Sequence, residues 1–175
     1  TYGHKLKVLN LTGGCITSTT LAYSYPHGIA VTNKYIYVGN NTSRIWIHQK
    51  GNRINYMNNH NAGSNLSYTW GMSVNSGGSK LVIGDYSKNR VVEFRINTGA
   101  SFSNGGQAML IYNQATSNSY SSSNGYFRRP TDAVYDSSGN IYATDLYNHR
   151  VQKFNSSLVY QAKTGSYSTS SGFRY

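Results

Sequence analysis

Cysteine, proline and acidic side chains are what this sequence has least of. A single cysteine, Cys15, excludes an internal disulfide and any zinc site built on several thiolates. Its flanks, Gly14 and Ile16, bring no positive charge to activate a thiolate. It therefore reads as a buried or tolerated thiol, with intermolecular pairing the remaining option. The acids are only Asp85, Glu93, Asp132, Asp136 and Asp145, against sixteen Lys and Arg, so the net charge of +11 reflects missing acids more than abundant bases. No basic run exceeds Arg128-Arg129. Scattered bases of this kind read as solvated faces, although a polyanionic partner stays open. No apolar run approaches the roughly 20 residues of a membrane span, and no basic-then-apolar signal opens the chain. The first residue is Thr1 rather than Met, as in a processed or partial chain.

What fills the 175 residues is Tyr, Gly, Ser, Asn and Thr, with seventeen Tyr and eighteen Gly beside only two Pro. Tyr and Thr favour pleated surfaces, while Gly and Asn tolerate positive φ in turns, so this composition suits many short strands joined by polar hairpins. No stretch carries the period of a long helix.

The chain repeats itself. Pro26-His27-Gly28-Ile29-Ala30-Val31, Thr69-Trp70-Gly71-Met72-Ser73-Val74 and Pro130-Thr131-Asp132-Ala133-Val134-Tyr135 each open a unit with a short β run. A second run follows at Tyr35 to Val38, Lys80 to Ile83 and Asn140 to Ala143. A third opens on Arg44, Arg90 and Arg150, and a fourth lies at Arg53 to Tyr56, Ala108 to Tyr112 and Leu158 to Tyr160. Units of four antiparallel strands, 43 residues apart from Gly28 to Gly71 and 61 from Gly71 to Asp132, predict an all-β chain of β-propeller blades. The expected division is an orphan outer strand at Lys5 to Leu9 with its linker in 1–25, blades at 26–57, 58–112 and 113–161, and a linker in 162–175. All of these form one propeller-type domain or part of one.

The series Asn140-Ile141-Tyr142-Ala143-Thr144-Asp145 and Asn148-His149-Arg150-Val151-Gln152-Lys153-Phe154 resembles the NHL repeat of β-propellers. Lys88-Asn89-Arg90-Val91 is a fair second copy, and Thr42-Ser43-Arg44-Ile45 a degenerate third. The resemblance implies a structural role for Asp85 with Arg90 and for Asp145 with Arg150. Each pair is five residues apart across a hairpin, where an ion pair or backbone hydrogen bonds would brace the turn. Asn40 stands where the first unit should have its acid. Propellers close with about four to eight blades, so three imply either a longer parent chain or association between chains, the homo-oligomer by this count being two copies in a six-bladed ring. The Lys5 to Leu9 strand could then add to a neighbour's last blade.

No catalytic, metal or cofactor constellation emerges. One branch of the resembled family, the peptidyl-amidoglycolate lyases, holds zinc with histidines near the first strands. His27 stands at such a position, but Trp70 and Thr131 occupy the equivalent places, and a catalytic zinc usually needs three protein ligands. Five sequons, at Asn10, Asn40, Asn41, Asn65 and Asn155, are candidate glycan sites and point to an extracellular or cell-surface protein. Tyr25, Tyr68, Trp70 and Tyr126 precede or begin first strands, toward one face of the propeller. They are candidates to stack on a ligand or to pack between blades. The expectation is a non-enzymatic interaction or assembly module without cofactor. The alternatives are binding of RNA or acidic glycan, and, more remotely, a lyase-like zinc enzyme.

Overall fold

The computed structural model describes residues 4–21, 25–41, 44–49, 52–57, 66–96 and 110–166. Three four-stranded antiparallel sheets follow one another, each in simple up-and-down order, preceded by a two-stranded hairpin. The hairpin is β1 (Lys5–Leu9) with β2 (Cys15–Thr20). The sheets are β3 (Pro26–Val31), β4 (Ile36–Asn40), β5 (Ile45–Gln49) and β6 (Asn52–Met57); then β7 (Thr69–Val74), β8 (Lys80–Asp85), β9 (Arg90–Ile96) and β10 (Leu110–Ala115); then β11 (Pro130–Tyr135), β12 (Ile141–Asp145), β13 (Arg150–Phe154) and β14 (Tyr160–Thr164). This is the all-β, four-strand blade architecture that the repeats predict. Among the described residues no helix is long and apolar enough to cross a membrane.

Three details differ from the sequence reading. The Lys5–Leu9 strand is not alone, because Cys15–Thr20 pairs with it through a turn closed by Gly13 N–H on Asn10 O. The second sheet's outer strand extends to Ala115. The third sheet's outer strand begins at Tyr160 because Leu158, with φ of 57°, closes the preceding turn. That turn is one of four built alike: Asn10, Asn75, Asp136 and Asn155 each accept backbone N–H groups of later turn residues on Oδ1. A residue in the left-handed region stands three positions on, at Gly13, Gly78, Gly139 and Leu158. Only the last is not glycine, so the turn's usual sequence signal is missing there.

Alternation along the strands divides each sheet into two packing sides. The forward side of the first sheet (Tyr37, Ile45, Ile47) meets the rear side of the second (Leu81, Ile83, Val92, Phe94), all buried. The forward side of the second (Val82, Val91) meets Ile141, Ala143 and Phe154 of the third. The rear of the first sheet, Val38 and Trp46, is covered by Leu6 and Leu21. Burying each such side chain contributes about 1.5–3 kcal/mol, so the sheet-to-sheet seams hold most of the apolar stabilisation. Polar bonds cross the seams too. Thr69 Oγ1 donates to Asn40 O at 3.0 Å, Tyr135 N to Ser73 Oγ at 3.1 Å, and Tyr135 Oη to Glu93 Oε2 at 3.1 Å. Glu93 is buried and also pairs with Lys80 Nζ at 3.0 Å.

The forward side of the third sheet repeats this surface without a cover among the described residues. Tyr142, Val151 and Lys153 stand at the register positions of Tyr37, Ile45 and Ile47 and of Val82, Val91 and Glu93, yet they are half-buried, and Val134 is 42% exposed.

Candidate functional site

Each first strand enters through a register shift at the same place, between Pro26 and Ile29, Thr69 and Met72, and Pro130 and Ala133. Such bulges re-aim side chains at the end of a strand. The sheets approach closely here. A Cβ at Gly28 would lie 2.1 Å from Trp70 O, and one at Gly71 2.0 Å from Asp132 Oδ1. Glycine is therefore required at both by contact with the neighbouring sheet.

The two brace pairs control how the chain reaches these entries. Asp85 Oδ2 accepts Arg90 Nε at 3.0 Å while Asp85 Oδ1 accepts Ser67 N at 3.0 Å. Asp145 repeats the arrangement with Arg150 Nε at 2.8 Å and Arg128 N at 2.7 Å. Each carboxylate thus joins its hairpin to the backbone two residues ahead of the first strand. Burial raises the Asp85 carboxyl above its ordinary value, and the Arg90 charge and the Ser67 N–H pull it back. Asp145 also accepts Asn148 Nδ2 and Gln152 Nε2. Arg150 spends its remaining donors on the carbonyls of Ser122, Ser123 and Tyr126, fixing the loop that precedes β11. In the first unit Asn40 is buried, whereas Arg44 is exposed and lies over the Trp46 ring.

The linkers held in this way converge on an aromatic and basic face. Trp70 stacks with His27 (5.5 Å between centroids, 17° between planes) and with Tyr86 (5.2 Å, 9°), and Tyr68 lies against all three rings. The row continues into the third unit, where the Arg129 guanidinium sits 4.9 Å over Tyr86. The Arg128 guanidinium lies 5.5 Å over Tyr147 and 5.8 Å over Tyr120. Burial, with the neighbouring Tyr147 hydroxyl, raises the Tyr86 phenol above its ordinary value. Arg129 holds a φ of 61° directly before Pro130, a strained position fixed by its N–H on Asn89 Oδ1 at 3.1 Å.

Of the four aromatics expected on one face, Tyr68 and Trp70 come together. Tyr25 instead leans on His4 at 6.1 Å, and Tyr126 makes no ring contact among the described residues. Sequence reasoning did not select Tyr86, Tyr147, Arg128 and Arg129 for this face. The available signal was an aromatic one or two residues beyond each brace aspartate.

The sequons fall in different environments. Asn10 and Asn155 lie at turns and use Oδ1 to hold them. Asn41 is half-buried at a bend, and Asn65 lies outside the described residues. Asn40 is fully buried at the end of β4, so its amide has no room for a glycan in the fold, a correction to the sequence expectation. Cys15 is exposed rather than buried, with Sγ 3.5 Å from Thr17 O. Among the described residues no three His, Cys, Asp or Glu side chains converge as metal ligands, and His27 is occupied in the aromatic row.

Comparison with curated proteins gave no match to this chain. Residues 127–154 match the family model described as NHL repeat, a span running from the end of the linker held by Asp145 through β13. With the first two sheets built to the same strand order and the second carrying the same brace, the chain carries an NHL repeat within the blade architecture of the β-propellers such repeats build.

Proposed function

We propose that this chain is a non-enzymatic interaction module that assembles by covering blade surfaces, at the cell surface or outside the cell. The observation that carries the reading is the forward side of the third sheet. Its counterparts on the first two sheets are sealed by the next sheet, while Val134, Tyr142, Val151 and Lys153 keep partial exposure in the same register. A second copy laid against this side would cover it as the next sheet covers its counterparts. The sequons at Asn10 and Asn155, on accessible turns, support the extracellular setting.

Size-exclusion chromatography with light scattering tests the assembly. The expected result is an oligomer that Val134→Lys and Val151→Lys convert to monomer; a wild-type monomer at micromolar concentration would defeat it. A mass shift on endoglycosidase treatment of protein from a secretory host would support glycosylation at Asn10 or Asn155. A second reading, polyanion binding, is favoured by the +11 charge. An affinity for RNA or acidic glycan that did not fall with rising salt would remove it.

A further inference from the structure

Between the second and third units, Tyr86, Asn89, Tyr120, Arg128, Arg129 and Tyr147 line an open cleft of about 510 Å³. Among the described residues the ion pairs are Lys80 with Glu93, Asp85 with Arg90 and Asp145 with Arg150, so neither cleft guanidinium meets a carboxylate. Both stand on an anchored backbone. Arg128 N–H donates to Asp145 and its carbonyl accepts Tyr147 N–H, while Arg129 N–H donates to Asn89. The strained φ of Arg129 is thus held by the protein's own contacts. We propose that this cleft binds an acidic peptide segment of a partner protein, whose Asp or Glu carboxylates take the outward N–H groups of Arg128 and Arg129.

The alternatives fit less well. A nucleic acid on such a surface would use free aromatic faces for its bases and a track of cations for its phosphates. Here Trp70 is engaged by His27 and Tyr86, Tyr86 by Arg129, and Tyr147 and Tyr120 by Arg128. Only two of the six lining residues are cationic. What remains on offer is a pair of planar guanidinium forks with phenol groups beside them, a match for carboxylates spaced as on neighbouring peptide residues.

The test is calorimetric titration of the intact chain with a capped hexaglutamate peptide, at matched salt, beside oligouridylate and a heparin-derived hexasaccharide of equal charge. The peptide is expected to bind most tightly. Arg128→Gln or Arg129→Gln should weaken it at least about tenfold, and the double variant should abolish it. Arg129→Lys should fall between wild type and Arg129→Gln, because it keeps the charge and loses the fork. Arg129→Gly, which adopts positive φ freely, removes the guanidinium without backbone strain and must show the same loss as Arg129→Gln. Val134→Lys must leave peptide affinity unchanged, so failure of assembly and failure of the cleft are read separately. No peptide binding, Gln and Gly variants that bind the peptide as tightly as wild type, or tighter binding of oligouridylate or the hexasaccharide would overturn the proposal.

Discussion

Removing the Asp145 carboxylate tests the idea that the braces hold the face as well as the hairpins. Asp145 is buried, as is Arg150, and its two oxygens accept from Arg128 N, Arg150 Nε, Asn148 Nδ2 and Gln152 Nε2. In Asp145→Ala the guanidinium stays buried with only the Ser122, Ser123 and Tyr126 carbonyls to receive it. Breaking a buried pair from one side costs about 3–5 kcal/mol, mainly because of the abandoned charge. For a chain of this size each kcal/mol corresponds to about 2–4 °C in Tm, so melting should fall by roughly 6–20 °C. Urea denaturation should shift its midpoint accordingly. Adding Arg150→Met removes the stranded charge, so the double variant should be less destabilised than the sum of the two singles, by at least about 1 kcal/mol. Hydrogen exchange supplies the local readout. The amides of Arg128, bound to Asp145, and Gly125, bound to Gln152 Oε1, should lose protection before the β7–β9 amides do. A loss below about 1 kcal/mol, the range of an exposed surface pair, would refute the brace argument.

Other outcomes follow from the seams and turns. Gly28→Ala and Gly71→Ala should each cost about 1–3 kcal/mol in denaturant unfolding, since the new methyl meets Trp70 O or the Asp132 carboxylate. Gly77→Ala, with nothing nearer than 3.7 Å, should be close to neutral by the same measurement. Tyr135→Phe deprives buried Glu93 of a donor and should lower stability by about 1–3 kcal/mol on chemical denaturation, with Lys80→Met in addition costing more. The hydrogen bonds from Asn140, with those from Ser138, hold the Asp136 carboxyl below the ordinary value. A depressed acid contributes stability above its unfolded value that is lost as pH falls through the folded one. NMR titration should therefore place the Asp136 midpoint below about 3.9, and Asp136→Ala should flatten the acid limb of the stability profile.

The sequence by itself determined the three four-strand units, their strand order and the braces, but not the Cys15–Thr20 partner of the first strand. Those features are local: alternation decides which residues can share a side, and Asp85 with Arg90 or Asp145 with Arg150 are partners five residues apart across a single hairpin. The turns at Asn10, Asn75 and Asp136 carry glycine three residues on, whereas at the fourth Leu158 stands where glycine is usual. What only the tertiary structure decided comes from residues far apart in the chain. Gly28 gains its meaning from Trp70 O in the next sheet, Glu93 from Tyr135, and Asn40 loses its promise as a sequon through burial. The face is of this second kind. Tyr25, Tyr68, Trp70 and Tyr126 hold similar places in sequence, yet only Tyr68 and Trp70 join a row, because that row depends on which bulge and which braced linker point at the same neighbour. Arg128 and Arg129 read as two more solvated bases until Asp145 and Asn89 fixed their backbone above Tyr147 and Tyr86. Periodicity is written into the chain one residue at a time, but a surface assembled from two braced linkers and the hairpins beside them exists only once the sheets have packed.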